Sequence, residues 1–179
     1  MSIIAHSRPD LIKKIFHPDS RVFRNEGLYS IMLYQGKVPH IVNVDDKFLV
    51  SSRSKNHAFV RLCTDMKTNE REIWPLLVEK AYAKFHGSYG NIEGGHVHTA
   101  LVELTNGAGQ RWSLRDKAVE QMFNTGELWN KMQFWRDRNY LMGAGSPSGS
   151  DADISSLGIV QGHAYSILDV ATIDGTNLI

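Results

Sequence analysis

The spacing of apolar residues switches along this chain between the period of a strand and the period of a helix, which places it among mixed folds. Leu28–Tyr34 is an apolar run rich in β-formers, Gln35-Gly36 offers a turn, and Lys37–Val44 returns with partial alternation. Together they predict a β-hairpin. Asp45-Asp46-Lys47 closes it, and Phe48-Leu49-Val50 suggests a third short strand. Glu72–Phe85 instead carries Ile73, Trp74, Leu77, Val78, Ala81, Tyr82 and Phe85 on one helical side. Pro75 fits there only within the first turn, and Gly87 is the stop. Arg8–Phe16 reads as a short amphipathic helix ended at His17-Pro18-Asp19, because the residue before proline disfavours the helical region. His98–Leu104, Asp116–Phe123 and Glu127–Arg136 read as further helices. Leu141–Gly145 and the alternating Leu157–Val170 predict strands, and Asp174-Gly175 a turn. Ser51–Asn69, Asn91–Gly95 and the Ser/Gly/Asp stretch Ser146–Asp153 read as loops, and Asn106–Gly109 as a joint between two lobes. The order predicts an α+β or α/β chain in two lobes.

A length of 179 residues suits one domain or two small lobes. Hydrophobic residues at 42% and charged residues at 22% exclude wholesale disorder and fibrous rods. A net charge of +1 gives no case for nucleic acid or an acidic membrane surface as partner. The single cysteine, Cys63, excludes a disulfide framework and multi-cysteine zinc sites, and points to a reducing compartment, the cytosol. No apolar run approaches the length of a membrane span, and the apolar stretch near Met1 is too short for a signal peptide.

Cys63 sits in Val-Arg-Leu-Cys-Thr-Asp, with no glycine turn opening a helix to lower its pKa, so it reads as a small, half-buried hydrophobe. His96 and His98 supply half a metal site at alternate positions, without a third ligand placed by sequence, and read as polar loop residues. Asp151 and Asp153 lack the glycine and distal glutamate of an EF-hand loop, and read as solvated. His163 is flanked by Gly162 and Ala164 inside an apolar alternation, where small neighbours let a substrate or another chain approach the imidazole. Taken alone, a core histidine hydrogen-bonded to backbone is the commoner explanation.

Longer motifs change that balance. G-I-V-Q-G-H-A-Y-S-I around His163 closely resembles the histidine segment G-L-V-x-G-H-A-Y-S-[VI] of calpains, the calcium-dependent papain-like cysteine proteases. E-I-W-P-L-L-V-E-K-A-Y-A-K-F-H-G-S-Y resembles the calpain E-F-W-P-x-L-L-E-K-A-Y-A-K-L-x-G-S-Y. I-E-G-G followed by L-V-E-L-T-N-G is similar to the calpain S-G-G and the helix ending D-L-T-G-G. L-M-G-A-G-S-P-S-G-S-D and the hairpin ending V-D-D are similar too. The resemblance covers roughly residues 9 to 179, in one order.

It implies part of a papain-like two-lobe core of α+β class, with residues 1–107 ending the first lobe and 108–179 beginning the second. His163 corresponds to the catalytic histidine. Gly94 and Gly95 correspond to the cleft glycines whose backbone bonds the substrate chain. Glu72 corresponds to a calcium-ligating glutamate, with the remaining ligands expected before Met1. Calcium is the implied cofactor and protein or peptide chains the implied substrates. The departures are as specific: neither Q-G-x-x-G-D-C-W nor N-P-W-G occurs, and Cys63 falls after the nucleophile's place. The chain is expected to begin after the nucleophile helix and stop before the asparagine. One member of a Cys-His-Asn set predicts no proteolysis by the chain alone. The resemblance suits a piece of an active protease; a degenerate calpain-like module that binds without catalysis is the alternative.

Overall fold

The predicted hairpin forms, with its turn one residue later than expected. In the computed structural model, β1 (Leu28–Gln35) pairs antiparallel with β2 (Val38–Asp45), from Leu28 opposite Asp45 to Gln35 opposite Val38. The two linking residues are Gly36 and Lys37, at φ +55° and +73°. A two-residue turn that matches the strands' twist requires positive φ at both central positions, and Gly36 takes the first of them without steric cost. The structure describes residues 1–179 except Phe23, Lys55, Phe59, Arg61, Leu62, residues 65–70 and Asp151, and describes Cys63, Thr64 and Arg71 by backbone alone.

Chain packing divides the molecule into two compact units. One comprises Lys13–Gly95 and Glu103–Asn106. Its core is the inner face of the hairpin, Tyr29, Ile31, Leu33, Val42 and Val44, laid against the long central helix. With β3 (Cys63–Thr64) and β4 (Arg71–Glu72) paired just ahead of it, that helix is α3 (Trp74–Phe85), the short helices α1 (Ser2–Ser7) and α2 (Pro9–Ile15) preceding the hairpin. It begins at Ile73 with Pro75 in its first turn, as expected, and buries Leu76, Leu77, Val78, Ala81 and Ala83. Burying one such side chain is worth about 1.5–3 kcal/mol. Trp74 and Tyr82, expected in the core, stay half-buried because each directs a polar atom to a carboxylate. Lys80 Nζ donates to Asp45 Oδ1 and to the Lys47 carbonyl, each at 2.6 Å, so the helix also closes the end of β2. The expected strand at Phe48–Val50 is reduced to one bridge, Val50 to His57.

The other unit comprises Met1–Ile12, His96–Val102 and Gly107–Ile179. Its first element, α1 (Ser2–Ser7), has no helical signal in the sequence; it forms because Ile3 and Ile4 are buried. After α1 comes α2 (Pro9–Ile15), predicted from its spacing, which crosses the boundary between units, as does α4 (Val97–Thr105). The unit continues with α5 (Lys117–Asn124), α6 (Glu127–Asp137) and two antiparallel pairs. β5 (Met142–Gly145) pairs with β6 (Ala164–Ile167), and β7 (Ala171–Ile173) with β8 (Thr176–Leu178) around Asp174-Gly175. α1 lies against β6, with Ser2 and Ser166 hydroxyls 2.7 Å apart. α6 holds β7 through Trp129 Nε1, which donates to Thr172 Oγ1 at 3.1 Å. Helices beside small antiparallel sheets are the α+β class expected for part of a papain-like core. Among the described residues, no helix is long and apolar enough to cross a membrane.

The single long strand expected over Leu157–Val170 does not form. Its regular part is β6 alone, because Gly158 and Gly162 take left-handed conformations that turn the chain. Leu157 is 87% exposed, so alternation there does not reflect burial.

Candidate active site

His163 stands at the root of an irregular hairpin that extends the β5–β6 pair. Beyond the last ladder pair, Gly145 with Ala164, Ser146 faces His163. The His163 N–H donates to Ser146 Oγ at 2.8 Å, and the His163 carbonyl accepts the Ser146 N–H at 2.9 Å and its hydroxyl at 3.1 Å. One serine thus holds both polar groups of the histidine backbone. The Gly162 N–H then donates to the Pro147 carbonyl at 2.6 Å, the Gln161 N–H to the Asp153 carbonyl at 2.8 Å, and Ile154 bridges Val160. The stretch expected to be a loop is therefore bonded at several points to the histidine segment. Asp153 fixes its bend: Oδ2 accepts from the Ser150 N–H at 2.9 Å and hydroxyl at 3.0 Å. Those two bonds hold the Asp153 carboxyl below the usual range.

The imidazole itself is exposed and meets the Tyr165 ring edge-on, 5.2 Å between centroids. Tyr165 is anchored in turn: its hydroxyl accepts the Val160 N–H at 3.1 Å. The ring is thus accessible to solvent while the backbone that carries it is held on both sides.

Gly94 and Gly95 lie in the other unit, exposed, after a 3₁₀ turn at Gly90–Ile92. A Cβ on either would meet nothing within 4 Å, so their backbone is open to an approaching chain. The segment ahead of them is internally bonded, with Asn91 Nδ2 donating to the His86 carbonyl at 2.7 Å. His86 Nε2 lies 3.1 Å from Glu103 Oε2, which also accepts the Tyr82 hydroxyl at 2.5 Å. Ser146 and Glu103 both fall inside motifs of the sequence, L-M-G-A-G-S-P-S-G-S-D and L-V-E-L-T-N-G, but neither motif says which distant group the side chain meets.

Glu72, in β4, gives Oε2 to the Trp74 indole N–H at 2.9 Å. Calcium takes 6–8 oxygen ligands, and a lone carboxylate does not make such a site. No group of three His, Cys, Asp or Glu that could hold a metal occurs among the described residues. His98 lies in the first turn of α4, as the helix expected over His98–Leu104 implies and unlike a loop histidine, and its ring stacks on that of His96 at 5.6 Å. The Cys63 side chain and Asp151 lie outside the described residues.

A family model described as calpain family cysteine protease matches residues 1–179. The calpain-type cysteine protease DEK1 of Zea mays is 47% identical over 158 residues, 88% of this chain and 7% of that protein. Calpain-12 of Homo sapiens is 33% identical over 162 residues, 89% of this chain and 20% of its own length. Calpain-A of Drosophila melanogaster is 36% identical over 110 residues, 60% and 12% respectively. The chain spans well under a third of each of these relatives.

Proposed function

This chain belongs to the calpain family of cysteine proteases, and we propose that it carries the histidine of a thiol endopeptidase acting on intracellular proteins. His163 is the general acid–base. Its imidazolium stands beside the thiolate and protonates the leaving amine when the peptide carbonyl is attacked. Cys63 is not the nucleophile. The thiolate, and the asparagine that orients the imidazole, come from residues other than these 179, so the chain alone hydrolyses nothing. Gly94 and Gly95 hold the substrate backbone. Residues 1–107 belong to the first lobe and 108–179 to the second; the unit boundary between Asn106 and Gly107 supports this, although 1–12 and 96–102 group with the later residues. Calcium is the regulator, with Glu72 one ligand of a set that the described residues do not complete.

The observation that carries the reading is the backbone clamp on His163: Ser146 fixes it on both sides while the ring stays open to solvent. The test is hydrolysis of a fluorogenic peptide at saturating calcium by the full-length protein and by the 179-residue chain, each with and without His163→Ala. Full-length protein should lose hydrolysis on substitution with its unfolding midpoint unchanged, and the isolated chain should show none. Hydrolysis that survives His163→Ala, or thiol-dependent cleavage by the isolated chain, would overturn it.

A further inference from the structure

We infer that Glu103 is the positioning residue for the Gly94–Gly95 backbone, the carboxylate through which that segment is presented to substrate in one geometry. The inference rests on the reading of Gly94 and Gly95 as substrate-binding. Both glycines lie in the connection between α3 and α4, and Glu103 ties that connection to the helices at each end of it. From α4 its Oε2 reaches back to the last turn of α3, accepting the Tyr82 hydroxyl at 2.5 Å and lying 3.1 Å from His86 Nε2. The Tyr82 and His86 rings lean together at 4.5 Å between centroids. The Glu103 side chain is 15% exposed and that of His86 31%, so the cluster is largely screened from water and its charge-assisted bonds are firm. Burial, with the Glu103 carboxylate beside it, raises the Tyr82 phenol well above its ordinary value, which keeps it a donor throughout the working range.

Order passes from this cluster along the backbone. The His86 carbonyl accepts Asn91 Nδ2 at 2.7 Å, and the Asn91 N–H turns back to Ser88 Oγ at 3.2 Å. Ile92 N–H donates to the Tyr89 carbonyl at 3.2 Å, and Glu93 N–H to that of Gly90 at 3.5 Å. The bonded run ends at Glu93, immediately before Gly94. Gly94 and Gly95 have no side chains to pack and open space where one would stand. Their placement therefore depends on the anchors at the two ends of the connection, and Glu103 joins those ends.

A staple that merely holds two helices together would alter stability alone. A positioning residue alters how the substrate backbone is bound, in the ground state and the transition state alike, and so raises KM with kcat unchanged. In the full-length protein, Glu103→Ala should raise KM for a fluorogenic peptide about tenfold, the equivalent of one or two mispositioned backbone bonds, with kcat within about threefold. Glu103→Gln, which keeps an acceptor for Tyr82, should recover part of the loss, and Tyr82→Phe should raise KM in the same sense. Gly95→Val, whose branched side chain occupies the open space, tests the underlying reading and should raise KM by itself. If Gly95→Val raises KM and neither Glu103→Ala nor Tyr82→Phe does, Glu103 is only a staple and the inference is wrong. Should Glu103→Ala fail to fold, an unchanged KM in Tyr82→Phe overturns it equally. An unchanged KM in Gly95→Val overturns the reading of the glycines and the inference with it.

Discussion

A Cβ placed on Gly162 would stand less than 3.0 Å from the carbonyl oxygen of Gly149, so the two backbones lie together only because residue 162 has no side chain. Gly162 also holds φ +63°, a conformation that L side chains resist, and it directly precedes His163. The contact sets where the imidazole-bearing backbone leaves the hairpin.

In the full-length protein, Gly162→Ala should therefore cost about 1–3 kcal/mol of stability and remove most of the proposed peptide hydrolysis. Gly36→Ala is the control: φ is +55°, but a Cβ there meets nothing within 4 Å, so only the conformational penalty of about 1–2 kcal/mol remains. Denaturant midpoints and peptide turnover, measured side by side, check both. Equal activity in the two variants would show that the Gly149–Gly162 contact does not place His163.

Ser146→Ala removes the acceptor of the His163 N–H and one donor to its carbonyl, leaving the backbone bond of 2.9 Å in place. The expected loss is about 1 kcal/mol of stability, since neutral bonds at an exposed site are partly replaced by water. In the full-length protein, the proposed hydrolysis should fall about tenfold as the imidazole is held less firmly in line, well inside what an ångström of misplacement costs. Ser146→Thr keeps the hydroxyl and should recover the rate. Identical rates for the alanine and threonine variants would exclude the hydroxyl from the arrangement.

Much of this could be read in the chain, and the failures share a cause. The β1–β2 hairpin and α3 carry their own periodicity, so local pattern was enough. Even there the turn slipped by one residue, because nothing in Lys37 announces φ +73°. α1 has too few residues for a period and exists only because Ile3 and Ile4 find a buried place. Leu157–Val170 alternates as a strand would, yet Gly158 and Gly162 turn it, and glycine permits a turn without requiring one. For the proposed site, extended motifs point to His163, Gly94 and Gly95. Ser146 lies 17 residues from His163, and Glu103 21 from Tyr82, separations at which no local pattern marks a pair.

Asp45 gives the protein a pH-dependent contribution in acid. The hydrogen bond from Lys80 Nζ, followed by that from the Lys47 backbone, holds its carboxyl below the ordinary 3.8. A depressed folded value means that the stabilisation is complete above 3.8 and is lost as the pH falls through the lower folded value. Unfolding midpoints followed from about pH 6 down to about pH 2.5 should fall more steeply for the unmodified protein than for Asp45→Asn, which has no proton to take up. Lys80→Met should reduce that acid slope, leaving the part that the Lys47 N–H sustains, and weaken the closure of β2 at every pH. Parallel curves for Asp45→Asn and the unmodified protein would remove Asp45 from the account.

Glu72 combines a structural bond with the proposed role in calcium binding, and two substitutions separate them. In Glu72→Gln the amide oxygen can still accept the Trp74 indole N–H, seen at 2.9 Å, so α3 should start as before and the unfolding midpoint should stay within experimental error. The charge is gone, however, and calcium binding by oxygen ligands depends strongly on carboxylate charge. The calcium concentration for half-maximal activity of the full-length protein should rise about tenfold, corresponding to about 1.4 kcal/mol. In Glu72→Ala the half-buried indole N–H also loses its partner, which adds a destabilisation of about 1–2 kcal/mol. A calcium requirement that moves in Glu72→Ala and not in Glu72→Gln would trace the effect to the Trp74 contact. A requirement unchanged in both would leave Glu72 with the indole bond as its whole function.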